Sequence, residues 1–379
     1  MSSLPQLEDL PPLEGKRVLL RADFNVPLSG GEITDDLRIR AALPTIRWLQ
    51  GQGAEVVACT HLGRPQGTPD PRYSVEPVRK RLAALLRQEG RPGVELLENL
   101  RYDPGEEADD PAFVAQLVDG FDAYVNDAFG ASHRAHASIV GPPKVLPSAA
   151  GRLLAKEVDV LLGLRERPKR PFVAILGGSK VSDKLAVIEA LLAVADEVLI
   201  GGGMCFTFLA AQGNSIGDSL FEPDMVDACK ALLDAGRPVV LPTDVTALGP
   251  GGKLFDPGAG GEVRQAGTSL PDGWKGVDIG PGSAADFGDR IAEARTIFWN
   301  GPMGVFEDPR FEAGTLAVAH AVADAGGFTV VGGGDSAAAL AQFGLDDRID
   351  HVSTGGGASL ELLEEGDLPG LEALREGKQ

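Results

Sequence analysis

Short apolar runs that break into polar or glycine-rich positions alternate, along almost the whole chain, with stretches whose apolar residues recur every three to four positions. The first pattern predicts strands buried on both faces, the second amphipathic helices. In the first half KRVLLRADFNVP, AEVVACTHLG, VELLENLRY and AYVNDAFG read as strands, and LRIRAALPTIRWLQGQG, VEPVRKRLAALLRQEG and PAFVAQLVDGF as helices with glycine near their ends. A long amphipathic segment from Gly151 to about Arg167 closes in a charged, proline-containing stretch, which marks it as the connector between two domains. A second series begins at Phe172, interrupted by GPGGKLFDPGAGGEVRQAG, whose glycines and prolines predict an exposed excursion. Strand–helix alternation of this kind predicts an α/β protein built on parallel sheets, and 379 residues exceed one ordinary core.

The strands of the second half end in glycine: FVAILGGSK, EVLIGGGM, TVVGGGDS and HVSTGGGASLE. Glycine lets the backbone approach a ligand closely, and a helix begun after each cluster points its free N–H groups back at it, a geometry suited to phosphate. In a parallel sheet such strand ends share one edge, so the four clusters predict a single crevice holding a nucleotide. Lys180 and Lys184 stand at (i, i+4) in what reads as the first turns of the first helix, sharing one face, and Asp335 offers a carboxylate suited to a magnesium ion on phosphate oxygens.

The first-half strand ends carry different chemistry. Arg21, Arg38, Arg64, Arg101 and Arg134 gather there with His61 and His133, a cationic pocket in a chain of net charge −20. Guanidinium forks match carboxylate and phosphate, so the expected ligand is a small polyanion carrying one or both. Asp23 and Asn25 either cap a turn or orient a ligand hydroxyl, while His136, His320 and His351 lack metal-ligand spacing and read as packing or surface residues. The overall acidity argues against nucleic acid or an anionic membrane as partner. Cys59, Cys205 and Cys229 form no CxxC pair, and the N-terminus lacks a secretory pattern, so a reducing cytoplasm is expected.

Taken in order, RADFNVP, the arginine of ITDDLRIRAALPTI, HLGRP, ENLRY, NDAFGASHRAHAS, GGSKVSDK, IGGGMCFTF, WNGPMGVFE, GGGDS and STGGGASLELLE resemble phosphoglycerate kinases over nearly the whole chain. The resemblance implies two Rossmann-like, doubly wound domains joined by a hinge helix at about 151–167. Residues 1–160 would bind 3-phosphoglycerate, 168–360 would bind MgATP or MgADP, and a tail, 361–379, would pack back toward the first domain. The acid would be held by Asp23, Phe24, Asn25, Arg38, His61, Leu62, Gly63, Arg64, Arg101 and Arg134. The nucleotide would take Lys184, Gly201, Gly202, Glu307 toward the ribose, and Gly333, Gly334, Asp335 and Ser336, with Asp335 the ligand to Mg2+. Arg38, Lys180 and the run Gly355, Gly356, Gly357 would serve the transferring phosphoryl group.

The implied reaction joins a carboxylate and a phosphate oxygen, both already ionised, so it needs charge neutralisation rather than a general base. Small departures from the family pattern stand at Ala22, Ser179 and Ser336, and the tail and VDIGPGSAADF match more loosely. The implied enzyme is a cytoplasmic monomer acting on small molecules. Two rivals are an NAD-dependent oxidoreductase, because Gly332-x-Gly334-x-x-Ala337 is followed by Asp350 at ribose-ligand distance, and a catalytically silent nucleotide-binding protein on the same fold. None of the GK dipeptides, at Gly15, Gly252 and Gly377, completes a P-loop.

Overall fold

A computed structural model describes residues 3–378. The chain divides into two compact units, one comprising the residues up to Val160 together with those from Glu365 onward, the other Leu161–Glu364. The boundary at Val160 falls inside the helix Arg152–Glu166.

The first unit contains β1 (Arg17–Ala22), a hairpin of β2 (Leu28–Ser29) and β3 (Glu32–Ile33), then β4 (Glu55–Cys59), β5 (Glu95–Leu96), β6 (Ala123–Asp127) and β7 (Ser148–Ala150). Five of these form a parallel sheet in the order β5-β4-β1-β6-β7. Val18, Leu19 and Leu20 of β1 are fully buried, as a central strand covered on both faces requires. The chain winds outward from β1 in both directions, which places a topological switch point, and hence a crevice, at its carboxyl end. VELLENLRY supplies only a two-residue strand before turning into a short 3₁₀ helix at Leu100–Tyr102.

In the same unit, the helix Pro369–Glu376 packs on the helix Ala137–Val140. Gly370 N–H donates to Ser132 O at 2.9 Å, and a Cβ at position 370 would lie 2.8 Å from Ile139, so the close approach requires glycine.

The second unit holds β8 (Phe172–Leu176), β9 (Glu197–Ile200), β10 (Val239–Val240), β11 (Asp244–Leu248), β12 (Val263–Gly267), β13 (Lys275–Ile279), β14 (Thr296–Asn300), β15 (Phe328–Gly332) and β16 (His351–Val352). Its six-stranded parallel sheet runs β10-β9-β8-β14-β15-β16, with a switch point beside β8. The glycine-rich excursion is part of a folded element: β11, β12 and β13 make a separate three-stranded antiparallel sheet, which strand–helix alternation did not predict. No helix among the described residues is long and apolar enough to cross a membrane.

Candidate active site

In the first unit, the ends of β1, β4 and β6 bring the cationic residues together. Arg38 lies in the first turn of the helix Leu37–Gly51, where the helix dipole disfavours a cation, and the buried Asp23 carboxylate answers it at 2.6 Å. Asn25 Oδ1 accepts the Gly63 N–H at 2.9 Å, tying RADFNVP to HLGRP, and Arg101 donates to Gly63 O at 2.9 Å. Asn99 fixes the same corner by accepting from Leu62 N–H and donating to Leu62 O and Tyr73 O. Arg64 and Arg134 are exposed, and Arg134 donates to the His133 ring at 2.9 Å. Phe24 and Leu62 are buried beneath this surface.

Arg21 departs from expectation. It is fully buried and donates to Ser138 Oγ, Ala22 O and His61 Nδ1, so it is a strut behind the pocket rather than a free anion ligand. Because a guanidinium can only donate, His61 Nδ1 must accept, and the neutral ring carries its proton on Nε2. Burial and the neighbouring Arg21, Arg101 and Arg38 push His61 well below its usual range. His136, read from sequence as a packing or surface residue, belongs to this cluster: burial, then Arg101, hold it down to about 4, and burial with Arg134 does the same to His133. Nothing in the spacing of His136 signalled this.

In the second unit a cavity of about 310 Å³ opens at the ends of β8, β14, β15 and β16. Lys180, Lys184, Gly333, Gly334, Asp335, Ser336, Gly356 and Gly357 line it, together with Asp183, Asn300, Gly301 and Leu360, which sequence reasoning did not single out. A Cβ on Gly334, Gly356 or Gly357 would meet nothing within 4 Å, so these glycines face open space. Gly355, beneath them, donates its N–H to Ser353 Oγ at 3.2 Å. Ser336 is fully buried, and its hydroxyl accepts the Gly301 N–H at 2.6 Å.

One expectation for this unit needs correction. The helix after β8 begins only at Leu185, so Lys180 and Lys184 lie in the preceding turn and share no helix face. Lys184 Nζ donates to Gly177 O and Asn300 Oδ1, both at 2.6 Å, bridging the ends of β8 and β14; burial pushes it down to about 8, against the pull of Asp335 and Asp183. Only three of the four glycine clusters line the cavity. Gly201 and Gly202 lie across β8 from it, and a Cβ on Gly202 would come within 2.6 Å of Gly178 N. Glu307 is exposed on the loop after β14 and is also outside the lining.

The family model for phosphoglycerate kinase matches residues 7–366. The chain belongs to the phosphoglycerate kinase family. It is 53% identical to a phosphoglycerate kinase of Rubrobacter xylanophilus over 97% of each chain, and 50% identical to a cytosolic phosphoglycerate kinase of Arabidopsis thaliana over 96% of each. Its fold superposes on the phosphoglycerate kinase of Coxiella burnetii with a TM-score of 0.88 at 37% identity, covering 99% of this chain and 100% of that one. A phosphoglycerate kinase transfers a phosphoryl group reversibly between 1,3-bisphosphoglycerate and ADP, giving 3-phosphoglycerate and ATP, and this is the glycolytic and gluconeogenic activity of the chain.

The rival readings find no support. Asp350 takes the Thr329 N–H at 2.9 Å at the start of β15, the opposite end of the strand from the glycines, so it is no ribose ligand. The same spacing recurs at Gly280, Gly282 and Ala285, and there the helix start is filled by the protein itself, since Asp244 accepts the Gly282 and Ser283 N–H groups.

The depressed histidines give a test with a definite sign. Folded-state values near 4 for His133 and His136 lie below the ordinary 6.5, so as pH falls through that window the unfolded chain binds protons first and stability is lost. Asp278 and Asp127, raised by burial to about 7 and about 6, act in the opposite direction over much of the same range. The wild-type profile therefore mixes both effects, whereas the difference from a His133→Gln/His136→Gln variant isolates the imidazoles. Denaturation midpoints should shift in the variant's favour between pH 6.5 and 4. A pH-independent difference would mean the rings are not held neutral.

Proposed function

We propose that the arginine–histidine cluster of the first unit binds 3-phosphoglycerate and that the glycine- and lysine-lined cavity of the second binds the nucleotide. The observation that carries this reading is the division of chemistry between them. Arg38, Arg64, Arg101, Arg134 and the Nε2–H of neutral His61 offer donors for a carboxylate and a phosphate, with Asp23 and Asn25 beside them. Lys180, Lys184 and the open glycines Gly334, Gly356 and Gly357 offer charge and bare backbone for polyphosphate. Gly201, Gly202 and Glu307 would serve the nucleoside end, outside the cavity lining.

Both reacting oxygens are anionic at neutral pH, so the work of the residues is to align them and to neutralise the equatorial charge of the transferring group. Arg38, Lys180 and the N–H groups of Gly356 and Gly357 are assigned to that task, while Gly355, whose N–H is held by Ser353 Oγ, supports the turn beneath them. Among the described residues no group of three or more His, Cys, Asp or Glu could hold a metal ion by itself, while Asp335 stands exposed at the cavity. One carboxylate beside a polyphosphate is a donor set that suits Mg2+ carried in with the nucleotide. We place the enzyme in the cytoplasm as a monomer acting on small molecules, without nucleic acid or membrane partners.

Asp335→Asn tests the assignment at nearly constant volume. The variant should need several-fold more magnesium for half-maximal rate in a coupled ATP-formation assay, with its melting temperature unchanged. An unaltered magnesium titration would remove Asp335 from the site.

A further inference from the structure

The turn between β8 and the helix Leu185–Leu192 carries Lys180, yet its backbone N–H groups at Val181 and Ser182 do not feed a helix. They are taken by Glu222, forty residues further along the chain. Val181 N–H donates to Glu222 Oε2 at 2.6 Å and Ser182 N–H at 3.2 Å, while Ser182 Oγ donates to Oε1 at 2.5 Å. Both carboxylate oxygens are therefore engaged by this one turn. Glu222 is itself anchored, its own N–H donating to Oγ of the buried Thr207 at 3.3 Å.

A carboxylate beside a phosphate-binding turn repels the ligand, so its presence calls for an explanation. It occupies the two N–H groups that would otherwise form an anion nest of their own, and so denies phosphate a false register one residue beyond Lys180. It also fixes the backbone on which Lys180 stands. Against the cost of burial, the hydrogen bonds from Ser182 and Val181, with a smaller contribution from the Lys180 charge, hold the Glu222 carboxyl below its ordinary range. We propose that Glu222 is a positioning residue for phosphoryl transfer, clamping the Ser179–Lys184 turn so that Lys180 meets the nucleotide's terminal phosphate in one orientation. The proposal rests on the assignment of Lys180 to the transferring group.

A kinetic double-mutant cycle tests it, with Glu222→Ala, Glu222→Gln, Lys180→Ala and the Glu222→Ala/Lys180→Ala pair. Lys180→Ala should lower kcat by ~100-fold or more. Glu222→Ala should lower kcat by about 10-fold or more, with a smaller change in the KM for ADP, and Glu222→Gln should recover part of the loss because one acceptor oxygen remains. In the double variant the Glu222 effect should vanish, since a clamp for an absent ammonium has nothing to orient. A role in stability alone gives the same factor in both backgrounds. Additive effects, or an unchanged kcat in both Glu222 variants, would overturn the proposal while leaving Lys180 in the site. An unchanged kcat in Lys180→Ala would overturn the site assignment and the clamp together.

Discussion

Arg38→Ala should lower kcat by ~100- to 1,000-fold while changing the Kd for 3-phosphoglycerate much less, because a donor aimed at charge that develops during transfer is felt mainly in the transition state. The geometry sharpens the expectation. Arg38 is held 2.6 Å from Asp23, which is only 5% exposed, so truncation also leaves a buried carboxylate without its cation. That carboxylate repels an anionic ligand, and an Asp23→Asn/Arg38→Ala pair separates this loss from the loss of the donor itself. Arg38→Lys should rescue partly, since an ammonium keeps the charge and loses the planar fork. Arg64 provides the contrast: it is exposed, and Arg64→Ala should raise KM for the acid more than it lowers kcat if that side chain grips the non-reacting phosphate. Steady-state kinetics with calorimetric binding of the acid distinguish the cases. An Arg38→Ala enzyme with kcat intact and KM raised would return Arg38 to the substrate clamp.

The parallel sheets were legible because their evidence is local. β1, β8 and β14 are apolar runs with turn residues at their ends, and the polar residues past those ends fall where the sheet topology places a crevice. What sequence concealed depends on partners far along the chain. The lysines of GGSKVSDK read as helical because i, i+4 spacing is a helix signal, but the turn N–H groups are satisfied by Glu222 and helix formation waits until Leu185. The glycines of EVLIGGGM look like those lining the cavity, yet packing against Gly178 sets their place. The excursion after β11 conceals strands because antiparallel pairing of β12 and β13 with β11 is a non-local choice, and half-exposed strands leave only a weak apolar pattern. His136 carries no motif, and only the folded chain sets it beside Arg101.

Arg21 is the sharpest of these cases, since the residue type that marks a ligand here marks a foundation. Its Nε donates to Ser138 Oγ at 2.8 Å, and Ser138 donates in turn to Glu106 Oε1 at 2.7 Å, with Glu106 Oε2 accepting the Ser138 N–H at 2.9 Å. Arg21 and Glu106 are both fully buried, so the serine bridges a cation and an anion inside the protein. Arg21→Met removes one charge and strands the other, which should destabilise the first unit by about 3 to 5 kcal/mol, read as a lower denaturation midpoint. Adding Glu106→Gln removes the stranded carboxylate and should recover much of that stability. It should not restore binding: without the Arg21 donor, His61 Nδ1 is free to carry the proton, and the Nε2–H predicted to face the acid is no longer enforced. The double variant should therefore be stable yet weak for 3-phosphoglycerate by calorimetry. If Arg21→Met kept full stability and lost only affinity, Arg21 would be a direct ligand after all, and the tautomer argument for His61 would fail with it.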